Sequence, residues 1–173
     1  MDSVVRREEI LKLLKRRMSP ITGSELAEKM GVSRQIIVTD IALLRAKGEE
    51  ILATPQGYIH TSTITEKDYM TKIVCKHTSD EIREELSTIL KFGGEIIDVI
   101  VEHPVYGELK GLLMISSFKD LDEFIYKMRQ TQAKPLSLLT EGAHIHTIKA
   151  PKKQMLEEIK NELLIRDFLV EDN

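Results

Sequence analysis

The chain has a single cysteine, Cys75, in 173 residues, which excludes an internal disulfide and suits a reducing cytosol. It has no apolar run approaching the roughly 18 residues of a membrane span. The first residues, Met1 to Arg7, lack the apolar core of a signal peptide. A soluble, cytoplasmic protein with no membrane partner is therefore expected. Internal repeats and low-complexity tracts are also missing, and so is any excess of positive charge. A formal charge of -3 and a pI near 6.0 give no whole-chain signature of nucleic-acid binding. That balance hides an asymmetry: residues 1–60 carry 10 Lys and Arg against 8 Asp and Glu, and the remainder 15 against 20. The change of sign points to two domains with two functions. Histidines are few, five in all, yet two of them, His144 and His146, stand one residue apart. In an extended strand both imidazoles leave one face about 7 Å apart at Cα, a chelating geometry.

The first sixty residues read as a DNA-binding unit. Over 3–18, Val4, Ile10, Leu11, Leu13 and Leu14 alternate with Arg6, Arg7, Lys12, Lys15, Arg16 and Arg17, an amphipathic helix with a basic exterior. Ser19-Pro20 stops it. A short helix over 24–30 ends at Gly31, and Ser33 is placed to cap a third helix. Helix, glycine turn, helix is the helix-turn-helix pattern. On the third helix Ile37, Ile41 and Leu44 form the buried stripe. Opposite lie Gln35, Thr39 and Ala42, flanked by Arg34, Val38 and Arg45, a polar and cationic face suited to the major groove. Arg16, Arg17 and Lys47 would meet phosphates. After Gly48, segments 50–53 and 57–60 make a hairpin of the wing type, whose last residue, His60, has a structural or solvent-exposed role. The stretch 61–67 is a polar linker.

Over 68–173 the periodicities predict strand 69–77, helix 80–92, strands 95–103 and 108–115, helix 119–132, strand 143–149 and a closing helix 151–168. The order βαββαβ is that of a ferredoxin-like domain with an added helix, so the fold class is α+β. His77 ends the first strand. On the helix after it, with Ile82 at 0° and 100° per residue, Glu85 lies nearest the buried edge of the acidic residues, and a carboxylate there needs a partner or a cation. His77, Glu85, His144 and His146 thus form a candidate metal site of three nitrogens and one oxygen. Such a set suits zinc, nickel, iron or manganese. His103, last on the apolar face of Ile97, Val99 and Val101, is assigned with Tyr106 to an effector pocket. Cys75 is read as packing.

Two resemblances follow from these residues. Gly23-Ser24-Glu25-Leu26-Ala27, Val32-Ser33-Arg34-Gln35, Asp40-Ile41, Leu44-Arg45-Ala46-Lys47-Gly48 and Gly57-Tyr58 resemble the winged helix of biotin-repressor type. His77-Thr78, His103-Pro104-Val105-Tyr106-Gly107 and Leu139-Thr140-Glu141-Gly142-Ala143-His144-Ile145-His146-Thr147 resemble the 3H domain, a module named for its three histidines. The pairing is similar to the niacin-responsive transcriptional repressors of the NiaR type. This resemblance implies a homodimer that binds double-stranded operator DNA near niacin uptake and salvage genes when nicotinic acid is present. It also implies a divalent transition metal held by His77, Glu85, His144 and His146. Two other readings use the same residues. One is a metal-sensing regulator in which the metal alone is the signal. The other is a metal-dependent enzyme on a DNA-binding head, which finds no acid/base pair or nucleophile motif, so no enzyme is expected.

Overall fold

The structure is a computed structural model that describes residues 2–63 and 68–172. The chain divides into two compact units, 1–66 and 67–173, each with its own apolar core.

In the first unit each helix starts on a side-chain cap. The Asp2 carboxylate accepts the Val4 amide at 2.8 Å at the start of α1 (Ser3–Arg16). Thr22 Oγ1 accepts the Glu25 amide at 3.1 Å for α2 (Gly23–Met30), and Ser33 Oγ accepts the Ile36 amide at 3.4 Å for α3 (Arg34–Ala46). Gly31, at φ 65°, closes α2 with its amide on the free carbonyls. Ile37, Ile41 and Leu44 are buried against Ile10, Leu14, Ile21 and Leu26. Arg6 and Arg7, expected on a basic exterior, instead turn onto α3: Arg6 Nε donates to Asp40 Oδ2 at 2.6 Å and Arg7 Nη1 to Asp40 Oδ1 at 3.2 Å. Asp40 sits between the buried Ile37 and Ile41, where an unpaired carboxylate would be costly, and the two arginines supply its counter-charge. Strands β1 (Ile51–Thr54) and β2 (Gly57–His60) form the hairpin, and Ile21 pairs with Tyr58 along its open side. Gly57, at φ 129°, is required there because a Cβ would collide with the Ile21 carbonyl. His60 is structural: it is buried, with Nδ1 on Ser62 at 2.8 Å and Nε2 on Glu49 at 3.3 Å. Thr61–Thr63 make one 3-10 turn. The rest of the expected linker, 64–67, lies outside the described residues.

The second unit runs β3 (Tyr69–Lys76), α4 (Ile82–Lys91), β4 (Glu95–His103), β5 (Gly107–Ile115), α5 (Phe118–Thr131), β6 (Ala143–Ala150) and α6 (Lys153–Ile165). The βαββαβ order with a closing helix is the expected one. The sheet differs from a ferredoxin-like sheet in its strand order. There the first and third strands are central; here the order is β3-β6-β4-β5, all neighbours antiparallel, with the fourth and second strands in the middle. Burial accounts for this. Strand β6 has alternate residues His144, His146, Ile148 and Ala150 buried, whereas β3 exposes Lys72 and Lys76 and suits an edge. The chain after α6 returns to cover that edge, with Lys76 N donating to Phe168 O and Val170 N to Val74 O, both at 2.9 Å. Helices α4, α5 and α6 bury one face of the sheet around Ile73, Ile96, Ile115 and Ile148.

Candidate functional site

Three elements bring the predicted cluster together. Strand β6 directs His144 and His146 to the helix-covered face, and its register sets Cys75 opposite His144 and Ile73 opposite His146. His77 follows β3 by one residue. Its carbonyl is approached so closely by Gly142, at φ 94°, that a Cβ there would collide with it. Thr78 and Glu81 form a capping box that opens the helical segment leading into α4, whose first turn carries Glu85.

All three imidazoles converge on that one carboxylate. Glu85 Oε2 lies 2.6 Å from His77 Nε2, and Oε1 lies 3.0 Å from His144 Nε2 and 3.4 Å from His146 Nε2. None of the four side chains is more than 4 % exposed. The far nitrogen of each ring meets a backbone carbonyl: His77 Nδ1 on Thr78 O at 2.8 Å, His144 Nδ1 on Gly142 O at 2.8 Å and His146 Nδ1 on Asp98 O at 2.6 Å. A carbonyl only accepts, so each Nδ1 carries the hydrogen. In a neutral ring Nε2 is then a bare lone pair, and it faces an oxygen that is also a lone pair. Such contacts hold only with a cation between them, either protons on the rings or one metal ion. The carbonyl-anchored imidazole is also the usual way of fixing a ligand ring on a metal. Three imidazole nitrogens and a carboxylate are therefore a donor set that fits a divalent transition metal.

Electrostatics agree. Burial would push the Glu85 carboxyl up, but His146, His144 and His77 outweigh it and hold it well below the usual carboxylate range. Burial opposes charging of His77 and His146, and the Glu85 carboxylate reverses that, leaving both raised. Cys75, read from the sequence as packing, also reaches this carboxylate. Ligand atoms of Cys75, Glu85 and His144 lie within 4.8 Å of one another, while burial, with Glu85 beside it, drives the thiol strongly upward and keeps it protonated.

Beside the cluster opens a cavity of about 220 Å³. Glu85, His144 and His146 supply its polar wall; Val99, Leu113, Phe124, Met128 and Leu136 supply apolar walls; Lys134 is the cation on its lining. Sequence reasoning missed the apolar walls, although Phe124 and Met128, four apart, were legible as one helix face. It placed the pocket at His103 and Tyr106 instead. The structure does not bring those two to the cavity. His103 Nδ1 accepts the Val105 and Tyr106 amides at 3.1 and 3.2 Å and so holds the β4–β5 turn, and Tyr106 is 75 % exposed.

On the first unit Arg16, Arg34, Gln35 and Thr39 are exposed as expected, and Val38 is half-buried. Arg34 lies across Gly23, where a Cβ would come within 3.4 Å of its Nε. Three other residues expected at DNA are engaged within the fold. The Ser33 hydroxyl caps α3, Arg17 Nη1 pairs with Glu25 at 2.5 Å, and Arg45 Nε donates to the Ile51 carbonyl at 2.7 Å, tying α3 to the wing.

Comparison with known proteins accounts for both units. A family model described as a 3H domain matches residues 70–172, and one described as an HTH domain matches residues 6–59. The chain is 43 % identical over 168 residues to a protein named probable transcription repressor NiaR from Thermotoga maritima, covering 96 % of this chain and 94 % of that one. It is 40 % identical over 169 residues, with the same coverage, to one named transcription repressor NadR from Bacillus subtilis. An uncharacterized protein from Methanothermus fervidus matches at 33 % over 105 residues, 57 % of this chain and 16 % of that one. The chain belongs to the NiaR-type family of HTH–3H transcription repressors. Helices α2 and α3 thus lie in the HTH module of the family, and the histidines His77, His103, His144 and His146 in its 3H module.

The close approach of Gly142 to His77 makes a sharp test of the cluster. Gly142→Ala forces a side chain into a left-handed backbone and against the His77 carbonyl, a strain of about 1–3 kcal/mol before the collision is counted. The expected result is a lower melting temperature and, in protein incubated with a divalent metal, weaker metal retention by elemental analysis, with α-helical circular dichroism retained.

Proposed function

We propose that this protein is a DNA-binding repressor of niacin uptake and salvage genes, with nicotinic acid as co-repressor in the cavity beside a divalent metal held by His77, Glu85, His144 and His146, acting as a homodimer. The observation that carries this reading is the juxtaposition of a fully buried His3Glu donor set with a mostly apolar cavity open to it. A metal bound there supplies an open coordination position for the carboxylate or ring nitrogen of a pyridine carboxylate. The chain's own residues do the rest. Phe124, Met128, Val99 and Leu136 offer a dry slot to a flat ring, and Lys134 offers a cation to its anionic group. The three backbone-anchored imidazoles fix the metal face of the slot. A site serving metal alone needs no such cavity, which favours the organic co-repressor over the metal-only regulator.

The effector acts on DNA binding only through its differential affinity for the operator-competent state, and a tenfold gain needs about 1.4 kcal/mol. The reading is tested by fluorescence anisotropy on DNA carrying the promoter of a niacin-uptake gene, at fixed salt. Wild type is expected to bind at least tenfold tighter with nicotinic acid, and His144→Ala is expected to lose that gain. Equal affinity with and without nicotinic acid would point to another effector. Gain with metal alone would restore the metal-sensor reading.

A further inference from the structure

The three carbonyls that anchor the imidazoles are not alike. Those of Thr78 and Gly142 lie outside the strands, whereas that of Asp98 lies inside β4, where a carbonyl ordinarily belongs to the ladder. Counting back from Ile100, which pairs with Ile145, regular register sets Asp98 opposite Thr147 and gives the Asp98 carbonyl to the Thr147 amide. The structure shows another arrangement. His146 Nδ1 holds that carbonyl at 2.6 Å, and the Thr147 amide donates at 2.8 Å to Asp98 Oδ1 instead. The register of β4 on β6 slips at this point, between Ile96 and Ile100. Thr147 is buried, so its amide needs an acceptor within the protein. Asp98 is itself buried, and its second oxygen has only the half-exposed Lys110 near it, with Nζ at 4.0 Å.

We propose that Asp98 is a positioning residue for the metal site: its carboxylate takes over the strand amide and so releases its own carbonyl to hold the His146 ring. With that side chain cut back, one carbonyl would face two donors, the Thr147 amide and His146 Nδ1–H. The amide is carried by the strand into the ladder, and the ring loses the bond that fixes its tautomer and aims Nε2 at Glu85. The same slip turns Val99, the next residue, to the cavity wall. Asp98 therefore sets one ring of the cluster and one wall of the slot together. What the arrangement requires is an acceptor oxygen at the Oδ1 position, and an amide offers the same oxygen as a carboxylate.

This inference rests on the metal of the repressor reading, and imidazole NMR combined with zinc-competition titration of the full chain keeps the two apart. Wild type is expected to show three hydrogen-bonded Nδ1–H protons, one each from His77, His144 and His146. Asp98→Ala is expected to lose that of His146 and to bind zinc roughly 10- to 100-fold more weakly. Asp98→Asn keeps an oxygen for the Thr147 amide, and is expected to keep all three protons and to stay within about threefold of wild type. Asp98→Glu keeps the charge but moves the oxygen by one methylene, and is expected to weaken zinc about tenfold. If Asp98→Ala does not fold, the order of the other two still decides, because a role in charge alone reverses it. A wild type that takes up no zinc overturns the metal reading, and the proton count then decides the role of Asp98. Three protons and wild-type zinc affinity in Asp98→Ala, or an Asp98→Asn weaker than Asp98→Glu, overturns the positioning role.

Discussion

On the proposed metal-assisted repressor reading, Glu85→Gln is expected to abolish metal retention and, with it, any response of DNA binding to nicotinic acid. The glutamate is the one residue touched by all three imidazoles, and its carboxyl is held ionised by them against the pull of burial. An amide keeps the shape but removes the charge, and it must turn its NH2 towards at least one ring. Removing one partner of a buried charged group costs about 3–5 kcal/mol, and the lower figure already corresponds to roughly a hundredfold loss of affinity. After dialysis the variant should hold little metal by elemental analysis. In anisotropy it should bind operator DNA as metal-free wild type does, with no gain from nicotinic acid, because the helix-turn-helix has a separate core. Retention of metal at wild-type affinity would mean that the carboxylate is a structural counter-ion and not a ligand.

What was legible in the sequence was whatever a local period carries. Alternation placed His144 and His146 on one strand face, and 100° per residue placed Glu85 at the edge of a buried stripe; both are observed. Helix α3 was legible for the same reason, through Ile37, Ile41, Leu44 and the cap at Ser33. What was not legible depends on partners distant in sequence. The order β3-β6-β4-β5 is fixed by long-range pairing, and it decides that α5 and the turn Leu136–Thr140 close a cavity over His144 and His146. The strand face read as Ile97, Val99, Val101 and His103 is broken only at its start, because β4 slips register between Ile96 and Ile100: Ile96 and Val99 both turn towards the core, while Val99, Val101 and His103 keep their alternation. Asp40 entered the sequence reading only as part of the winged-helix motif, and only the packing of α1 on α3 shows that Arg6 and Arg7 neutralise it.

Above about pH 6.5 the stability of metal-free protein is expected to fall while that of metal-loaded protein holds level. His77 and His146 are raised from an ordinary value of 6.5. Their contribution to the metal-free fold is complete below 6.5 and is lost as pH rises through the raised folded values. Glu85 is lowered well below its ordinary 4.5, so its contribution is present above 4.5 and lost as pH falls through the depressed value. Metal-free protein should therefore be most stable between about pH 4.5 and 6.5 and decline on the alkaline side, by about 1.4 kcal/mol per pH unit for each proton that only the folded state still holds. A metal competes for the same Nε2 positions. Its affinity rises as the rings lose their protons, and bound metal stabilises by mass action, about 4 kcal/mol at a thousandfold excess over Kd. Thermal melts from about pH 4 to pH 9, with added metal and with chelator, should cross over or diverge above neutrality. Parallel curves would show that no ion exchanges with the protons of this cluster, and the lone-pair argument for a metal between Glu85 and its three histidines would fall.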